Sequence, residues 1–471
     1  MEKKLPNITT HFNEWYQEVI DQAELSDQAP VRGCMVIRPY GYALWENIVA
    51  ILDKKIKDTG HQNAAFPLMI PESFLKKEAS HIEGFSPELA VITHGGGSKL
   101  EEPLVVRPTS ETIIHYMFAR WIKSWRDLPL KINQWGSVIR WEMRTRPFLR
   151  TTEFWWQEGH TAHETYQEAE EEALTMLKEY VDLAHNYLAI PVIEGVKSES
   201  EKFAGADKTY TYEGLMPDGK ALQMGTSHII SRNFARVFNM SYQNRQGELD
   251  FPYLTSWAST TRLIGALIMT HGDQNGLILP PKIAPIQLVI VPIYKQETKE
   301  AVLAAVELLK KELVGIRLHV DLDETKSPGA KFYHWELRGV PLRLEIGARD
   351  IEAQKVVLVD RLNKQKKFLA WDGLLGSITE NLTLLQDALL ERATQKRNDL
   401  WFHGAKIAEW GPRMETTGGF YQTGWCRQTA CENLIKSHKA TIRCIIPEQK
   451  QTHCLGCDMP SESDILVARA Y

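Results

Sequence analysis

The sequence has few cysteines and no long apolar run. Six cysteines occur in 471 residues, and Cys34 is the only one before position 426. No apolar stretch approaches the roughly 18 residues of a membrane-spanning helix. The first residues, MEKKLPNITTHFNEW, lack the apolar core of a signal peptide. We therefore expect a cytoplasmic protein with no membrane partner, whose thiols stay reduced and form no disulfide framework.

The sequence also lacks a strong charge of either sign. Its formal net charge is −5 at pH 7, and 43% of its residues are hydrophobic. This balance is ordinary for globular proteins and does not indicate a nucleic-acid partner. Any RNA-binding surface must therefore be local, and the length suffices for two or three domains.

The most informative stretch is residues 132–160, INQWGSVIRWEMRTRPFLRTTEFWWQEGH. Its β-branched and aromatic residues predict two antiparallel strands joined by a basic turn. Arginines at 140, 144, 146 and 150 lie beside aromatic residues and carboxylates. Guanidinium groups and aromatic rings suit a polyphosphate and a purine ring. A surface hairpin with ordinary ion pairs is the alternative, since such pairs are common and contribute little.

Three stretches resemble the motifs of class II aminoacyl-tRNA synthetases, in the family order. Residues 41–71 resemble motif 1, residues 132–160 motif 2, and residues 256–273, SWASTTRLIGALIMTHGD, motif 3. RPTSET at 107–112 and WQEGHTAH at 156–163 are versions typical of prolyl-tRNA synthetases, a class IIa family. The resemblance covers essentially the full chain.

The distance between motifs 2 and 3 and the last residue of the chain indicate which branch of the family the sequence resembles. The bacterial type inserts a large editing domain between motifs 2 and 3, whereas here only residues 161–256 separate His160 from Trp257. The chain therefore resembles the archaeal and eukaryotic-like type without that domain. This branch ends in a tyrosine, as the chain does at Tyr471, which suggests a carboxy terminus near the active site.

The resemblance implies an α/β multidomain protein. Residues 1–280 would form the class II catalytic domain around an antiparallel sheet. Residues 285–372 would form the α/β anticodon-binding domain, and residues 373–471 a C-terminal α+β zinc-binding domain. The alternation of strands and helices after residue 285 independently favours a small α/β module. Motif 1 forms the subunit interface in this family, which implies a homodimer.

The implied reaction is ATP-dependent activation of L-proline to prolyl-adenylate, followed by transfer to the 3′ end of tRNA(Pro). Magnesium would bridge the ATP phosphates, with protein ligands that the sequence does not identify. Low-level activation of cysteine or alanine is a further expectation, because rejecting a smaller side chain yields only about 1–3 kcal/mol per methylene.

The resemblance also implies roles for individual residues. The catalytic residues would be Arg140, Glu142 and Arg262, with Arg140 at the α-phosphate and Arg262 at the γ-phosphate. The proline site would comprise Thr109, Glu111, Arg140, Trp156, Glu158, His160, His228, Trp257 and Thr260. The ATP site would comprise Arg140, Glu142, Arg150, Thr151, Thr152, Phe154, Gln223, Thr226 and Arg262.

The residues alone leave some of these roles open. Helix capping explains Thr109 and Glu111 about as well as substrate binding does. His228 by itself suits a structural histidine. Ala258 and Thr260 stand where prolyl enzymes usually have glycine and serine, so the fit of the backbone beside the proline ring could differ.

The cysteines near the carboxy terminus are spaced as in a metal site. Cys426 and Cys431 are five positions apart, and Cys454 and Cys457 are three apart. Two such pairs predict a tetrathiolate zinc site, structural because four thiolates leave no open coordination position. Cys444 lies in a strand-like segment and is expected in the core.

Other functions remain as alternatives. A threonyl-, seryl- or glycyl-tRNA synthetase would keep the fold but use another amino acid. A non-catalytic relative that binds tRNA or nucleotide would not need both Arg140 and Arg262. A zinc-dependent nucleic-acid-binding module would leave the first 280 residues unexplained.

Overall fold

The computed structural model describes residues 4–76, 89–404, 406–447, 450–457 and 459–471 of the chain. Up to residue 280 the strands are β1 (Ser26–Gln28), β2 (Met35–Ile37), β3 (Gln62–Asn63), β4 (Met69–Pro71), β5 (Ala90–Gly95), β6 (Ser98–Val106), β7 (Leu130–Ile139), β8 (Glu153–His163), β9 (Val192–Val196), β10 (Ala206–Leu215), β11 (Ala221–Ile230), β12 (Tyr242–Gln243), β13 (Leu249–Asp250) and β14 (Tyr253–Thr260). The helices are α1 (Phe12–Gln22), α2 (Pro39–Asp58), α3 (Glu72–Lys76), α4 (Glu111–Trp121), α5 (Tyr166–Asp182), α6 (Arg232–Val237) and α7 (Arg262–His271).

The predicted antiparallel sheet is confirmed and forms the centre of this unit. Its strands follow the order β9-β10-β11-β14-β8-β7, and each neighbouring pair is antiparallel. The predicted hairpin at 132–160 corresponds to β7 and β8, which place Gln134 opposite Glu158. Residues 164–253, between motifs 2 and 3, belong to α5, α6 and further strands, so no additional domain is inserted in this described stretch.

Helices cover one face of the sheet because each buries one apolar side. Helix α2 shows the pattern: Leu44, Ile48, Leu52 and Ile56 recur at helical spacing and are all buried. Helix α5 begins at a capping box, in which the Thr165 hydroxyl accepts a hydrogen bond from the backbone of Glu168. The helices α1, α2, α5 and α7 contribute to the largest apolar core. On the opposite face, α4 and α6 pack against Ala162, Ile230 and Leu254 at one end of the strands.

The second unit is the predicted α/β module. Among the described residues its sheet has five strands, in the order β16-β15-β17-β18-β19, with parallel pairing around β15 and antiparallel pairing beyond β17. The strand β19 was not predicted. The elements are β15 (Leu288–Ile293), α8 (Lys299–Glu312), β16 (Leu318–Val320), α9 (Pro328–Leu337), β17 (Leu342–Gly347), α10 (Ala348–Glu352), β18 (Lys355–Asp360) and β19 (Lys366–Ala370).

The C-terminal part begins with a long helix and then returns to the first sheet. Its elements are α11 (Leu374–Asp399), β20 (Trp401–His403), α12 (Ile407–Thr416), β21 (Phe420–Trp425), α13 (Thr429–Ser437), β22 (Thr441–Ile445) and β23 (Ser463–Ala468). The strand β22 pairs with β9 through Ile445 and Val196. The four C-terminal strands at one edge, and β3 pairing in parallel with β7 at the other, thus extend the central sheet to eleven strands across the described chain.

Three local predictions differ from the structure. Apolar residues at 31–37 and 64–70 predict two strands, but the first is limited to β2 and the second to β4. Pro67 interrupts the backbone of the second stretch. The acidic run at 168–172 is typical of a solvated helix face, but Glu172 is buried. Its carboxylate lies 3.1 Å from Nε2 of His61 and also contacts Lys131. None of the helices in the described ranges is long and apolar enough to span a membrane.

Candidate active site

A cavity of about 410 Å³ opens on the face of the central sheet opposite α5. Its walls come from the sheet strands, from the start of α4, and from the loop between β7 and β8. It gathers nearly all the residues that the resemblance implicated. Those in its wall are Thr109, Glu111, Arg140, Glu142, Arg150, Thr151, Phe154, Trp156, Glu158, His160, Gln223, Thr226, His228, Trp257, Thr260 and Arg262.

Thr152 is the predicted site residue that the cavity wall does not include. Its backbone accepts a hydrogen bond from Arg140 N at 2.9 Å and donates one to Gly33 O at 2.9 Å. Its hydroxyl packs so closely against Gly33 that a Cβ there would lie 2.3 Å away. Thr152 therefore supports the backbone of Arg140 from behind the wall.

Thr109 and Glu111 interact with each other at one end of the cavity. The helix α4 begins after Ser110, which makes no side-chain capping hydrogen bond. The Thr109 hydroxyl instead donates to the Glu111 carboxylate, and both side chains are buried. Glu111 lies in the first turn of α4, where an acid is favourable, and both residues also line the cavity.

Glu158 is the centre of a buried hydrogen-bond network at the same end. Its Oε1 accepts hydrogen bonds from the Ser110 hydroxyl and from Nε2 of Gln134, the latter at 2.8 Å. Its Oε2 lies 3.1 Å from Nε2 of His160. Burial lowers the pKa of His160, but the bond to Glu158 and the charges of Glu111 and Glu158 outweigh this effect and raise the pKa above its ordinary value. This end of the cavity thus combines carboxylates with an imidazole whose pKa is raised above that of an ordinary histidine.

His228 closes the same end from the neighbouring strand. Its Nδ1 lies 2.9 Å from the Thr209 hydroxyl, and its Nε2 lies 2.9 Å from the Thr226 hydroxyl. The Phe203 ring packs at 4.7 Å from the imidazole. Both ring nitrogens are therefore held in place, and the ring presents a fixed face to the cavity.

The other end of the cavity is rich in arginine. Arg140 lies between this end and the carboxylates: its Nε donates to the carbonyl of Pro108, next to Thr109, at 3.0 Å, and its guanidinium lies over the rings of Phe154 and Trp156, at 5.4 and 5.7 Å from their centroids. Nε of Arg150 lies 3.3 Å from the Glu142 carboxylate. Such guanidinium groups can bind a chain of phosphates, and the aromatic rings can stack against a purine.

Arg262 is the first residue of α7, as predicted. Its backbone N donates to the Thr260 hydroxyl at 3.0 Å, and its side chain donates to the carbonyls of Leu149 at 3.2 Å and Gln223 at 3.1 Å. Burial lowers the pKa of Arg262 to about 10, and the nearby charges of Arg140 and Arg150 act in the same direction. The amino terminus of a helix favours anions, and the positive charge of Arg262 adds to this effect. This position therefore favours a bound phosphate.

Comparisons with known proteins agree with this geometry. Residues 94–271 match the model of the tRNA synthetase class II core domain (G, H, P, S and T), and residues 287–381 match that of the anticodon binding domain. Residues 408–471 match the prolyl-tRNA synthetase C-terminal domain. The proline–tRNA ligase of Acetoanaerobium sticklandii is 49% identical over 474 residues, which cover 100% of the chain and 98% of the relative. The chain belongs to the prolyl-tRNA synthetase family.

Further relatives extend the likeness to structure. The proline–tRNA ligase of Alkaliphilus oremlandii is 50% identical, with 100% of the chain and 98% of the relative covered. The crystal structure of prolyl-tRNA synthetase from Cryptosporidium parvum, complexed with halofuginone and AMPPNP, superposes with a TM-score of 0.94. It is 40% identical and covers 99% of both chains. The fold is accordingly that of a class II synthetase, with an antiparallel-sheet core and an anticodon-binding domain.

The cysteine cluster lies in the part that matches the prolyl-tRNA synthetase C-terminal domain. The sulfurs of Cys426, Cys431, Cys454 and Cys457 lie within 4.8 Å of one another. Sγ of Cys426 is 3.7 Å from the sulfurs of both Cys431 and Cys457. A tetrahedron with Zn–S bonds of about 2.3 Å has sulfur–sulfur edges of about 3.8 Å. The donor set and its spacing therefore fit Zn²⁺, and Cys444 lies apart in the core as predicted.

Other wall residues were not identified from the sequence. Ser256 is flanked by His160 and His228 on the neighbouring strands and is 3% exposed. Lys197 and Phe203 reach the wall from the segment that follows β9. Alternation along β14 could have revealed Ser256, because it shares a face with Thr260. Nothing in the sequence near Lys197 indicated its position.

The carboxy terminus lies close to this site but outside the cavity wall. Tyr471 N donates to the carbonyl of Ala221, two residues before Gln223, at 3.1 Å. Its ring packs against Arg146 and Lys220, at 5.3 and 5.0 Å from their charged groups. Tyr471 therefore contacts the loop between β7 and β8, to which Arg146 belongs.

Proposed function

We propose that this cavity activates L-proline with ATP and transfers the prolyl group to the 3′ end of tRNA(Pro). The observation that carries the proposal is the layout of a single cavity. Carboxylates and imidazoles lie at one end, Arg262 and the Phe154 ring lie at the other, and Arg140 stands between them. An amino acid and a nucleotide can therefore meet at Arg140.

The proline end suits a small cyclic secondary ammonium. Such a group needs a buried negative charge and hydrogen-bond acceptors in otherwise apolar surroundings. Glu111, held by Thr109, supplies the charge. His160, His228 and Trp156 enclose the ring, with Glu158 orienting His160. Trp257 and Thr260 complete the wall from β14.

The nucleotide end suits the adenosine and the phosphates of ATP. The reaction is an in-line attack of the proline carboxylate on the α-phosphorus, which needs alignment and charge neutralisation more than a base. In the proposal Arg140 binds the carboxylate and the α-phosphate, and Arg262 binds the γ-phosphate. Glu142, Arg150 and Phe154 hold the adenosine, with Thr151, Gln223 and Thr226 beside it. When bound with ATP, Mg²⁺ would supply further charge neutralisation.

The same proposal covers the partners and the remaining cofactor. The tRNA(Pro) anticodon binds the α/β domain at 285–372, and zinc at the four cysteines stabilises the unit at 373–471. The catalytic domain spans residues 1–280, and the enzyme is cytoplasmic. Alanine and cysteine are activated weakly, because both are smaller than proline and each lost methylene costs only about 1–3 kcal/mol.

An exposed aromatic patch supports a homodimer. Tyr42 on α2 and Trp155 on β8 pack edge to face at 6.4 Å, yet 37% and 39% of their surfaces remain exposed. Trp141 and Met143 in the adjacent loop are also exposed. Exposed apolar surface of this kind is typical of interaction sites. Sedimentation of the wild type and of Tyr42→Asp would test the proposal, and a monomeric wild type would contradict it.

The experiment that tests the proposed reaction is ATP–pyrophosphate exchange with each of the twenty amino acids. Exchange driven chiefly by proline, together with charging of tRNA(Pro), is the expected result. Exchange driven by threonine, serine or glycine would retain the fold and refute the proline assignment. Absence of exchange with any amino acid would favour a non-catalytic tRNA- or nucleotide-binding relative.

A further inference from the structure

A buried ion triad connects the C-terminal part to the cavity. Arg443 on β22 donates to Oε2 of Glu213 on β10 through Nε at 3.1 Å and Nη2 at 2.9 Å. Nζ of Lys197 lies 2.7 Å from Oε1 of the same carboxylate and 2.8 Å from the Arg443 carbonyl. The side chains are 7%, 0% and 2% exposed for Arg443, Glu213 and Lys197. The triad joins residues 230 positions apart.

The triad is adjacent to the arginine-rich end of the cavity. Lys197 is part of the wall itself. Glu213 is paired across the sheet with Gln223, and the Gln223 carbonyl accepts a hydrogen bond from Nη1 of Arg262 at 3.1 Å. Gln223, on the neighbouring strand, therefore links Glu213 to Arg262, the arginine proposed to hold the γ-phosphate.

The charges explain why this neighbourhood needs a precise arrangement. Burial raises the pKa of Glu213, but Lys197 and Arg443 outweigh it, so the pKa is lowered and the carboxylate stays charged. A buried carboxylate that loses one of its two cations attracts the next available cation, because an unpaired buried charge is costly. Arg262 is also close enough to interact with Glu213: the negative charge of Glu213 acts to raise the pKa of Arg262. A carboxylate drawn to Arg262 would compete with phosphate for it.

We propose that Arg443 is a positioning residue for the ATP site. By holding Glu213 against Lys197, it keeps the carboxylate away from Arg262 and leaves that guanidinium to the nucleotide phosphates. The C-terminal part thereby contributes to nucleotide binding without touching the nucleotide. This inference rests on the proposed function, since it assumes that the arginine-rich end binds ATP.

The test is proline-dependent pyrophosphate exchange in Arg443→Met. We expect KM for ATP to rise about tenfold, the scale of one charge-assisted hydrogen bond, with KM for proline changed less than about twofold. Adding Glu213→Gln removes the competing carboxylate and should restore KM for ATP to near the wild-type value. The matched control is Arg413→Met, an exposed arginine of the same C-terminal part, which should behave as wild type.

A second variant at the same position tests the inference independently. Arg443→Lys retains a cation but loses the two-pronged contact, so KM for ATP should rise by only about twofold to threefold. If Arg443→Met does not fold, this variant carries the test. An unchanged KM for ATP, or an equal loss in both KM values that Glu213→Gln does not rescue, would overturn the inference. A wild type without proline-dependent exchange would instead refute the proposed function, before any variant is compared.

Discussion

Oε2 of Glu158 lies 3.1 Å from Nε2 of His160, and neither side chain is more than 2% exposed. The other carboxylate oxygen is held by Gln134 and Ser110. Glu158 therefore has a fixed position, and through it His160 has a fixed orientation. The pair gives the proline end of the cavity a titratable group whose behaviour can be measured.

Replacing Glu158 by glutamine should change the titration of His160. With the carboxylate removed, burial is the largest remaining effect, and we expect the pKa of His160 to fall below 6.5. In the wild type the raised pKa means that the pair stabilises the fold fully below 6.5. This stabilisation is lost as pH rises through the folded-state pKa. NMR titration of the imidazole measures the shift. Glu153→Gln, on the same strand, is the control, and an equal pKa in wild type and Glu158→Gln would contradict the account.

Replacing Cys431 by serine should release the metal. A tetrathiolate site that loses one ligand keeps three, and a structural site of this kind depends on all four. We expect equimolar zinc in the purified wild type, a large decrease in Cys431→Ser, and a lower melting temperature for that variant. Cys444→Ser, which changes a buried thiol outside the cluster, should retain its zinc. Elemental analysis decides, and a zinc-free wild type would refute the site.

His271 should make the fold sensitive to mild acid. Burial lowers its pKa to about 3, with a further decrease from the charges of Arg392 and Lys396. Between that value and 6.5 the unfolded chain binds a proton that the folded chain does not, so stability falls as pH falls. From pH 7.5 to pH 5 this residue alone accounts for about 2 kcal/mol.

Urea unfolding of His271→Gln at both pH values measures this contribution. The variant should lose about 2 kcal/mol less than the wild type between pH 7.5 and pH 5. His403→Gln, at an exposed position, should lose as much as the wild type. Equal losses of unfolding free energy between pH 7.5 and pH 5 in wild type and His271→Gln would show that the His271 imidazole does not cause the pH dependence.

The sequence predicted those features whose signal is local. The β-branched and aromatic residues at 132–160 identified β7 and β8. The spacing of the cysteines identified their cluster. Most site residues followed from family motifs, each of which is also a short contiguous stretch.

Features that depend on distant pairing were not predicted. Glu172 lies in an acidic run typical of a solvated helix face, but its partner His61 is more than 100 positions away in the chain. The pairing of β22 with β9, and with it the contact of Arg443 with Glu213, has no local signature. Ser256 is the first residue of the motif 3 stretch, but its position between two histidines depends on strand pairing and was not predicted.

The most direct test of the account is proline-dependent pyrophosphate exchange by Arg140→Ala, with Arg144→Ala as control. Arg140 lies in the cavity wall between the two proposed subsites, whereas Arg144 is exposed in the same loop and outside the wall. Loss of at least about a hundredfold in kcat/KM is expected for Arg140→Ala, since it removes a donor to charge that develops in the transition state. Arg144→Ala should retain exchange near the wild-type rate. Equal activity in wild type and Arg140→Ala would contradict the proposed mechanism.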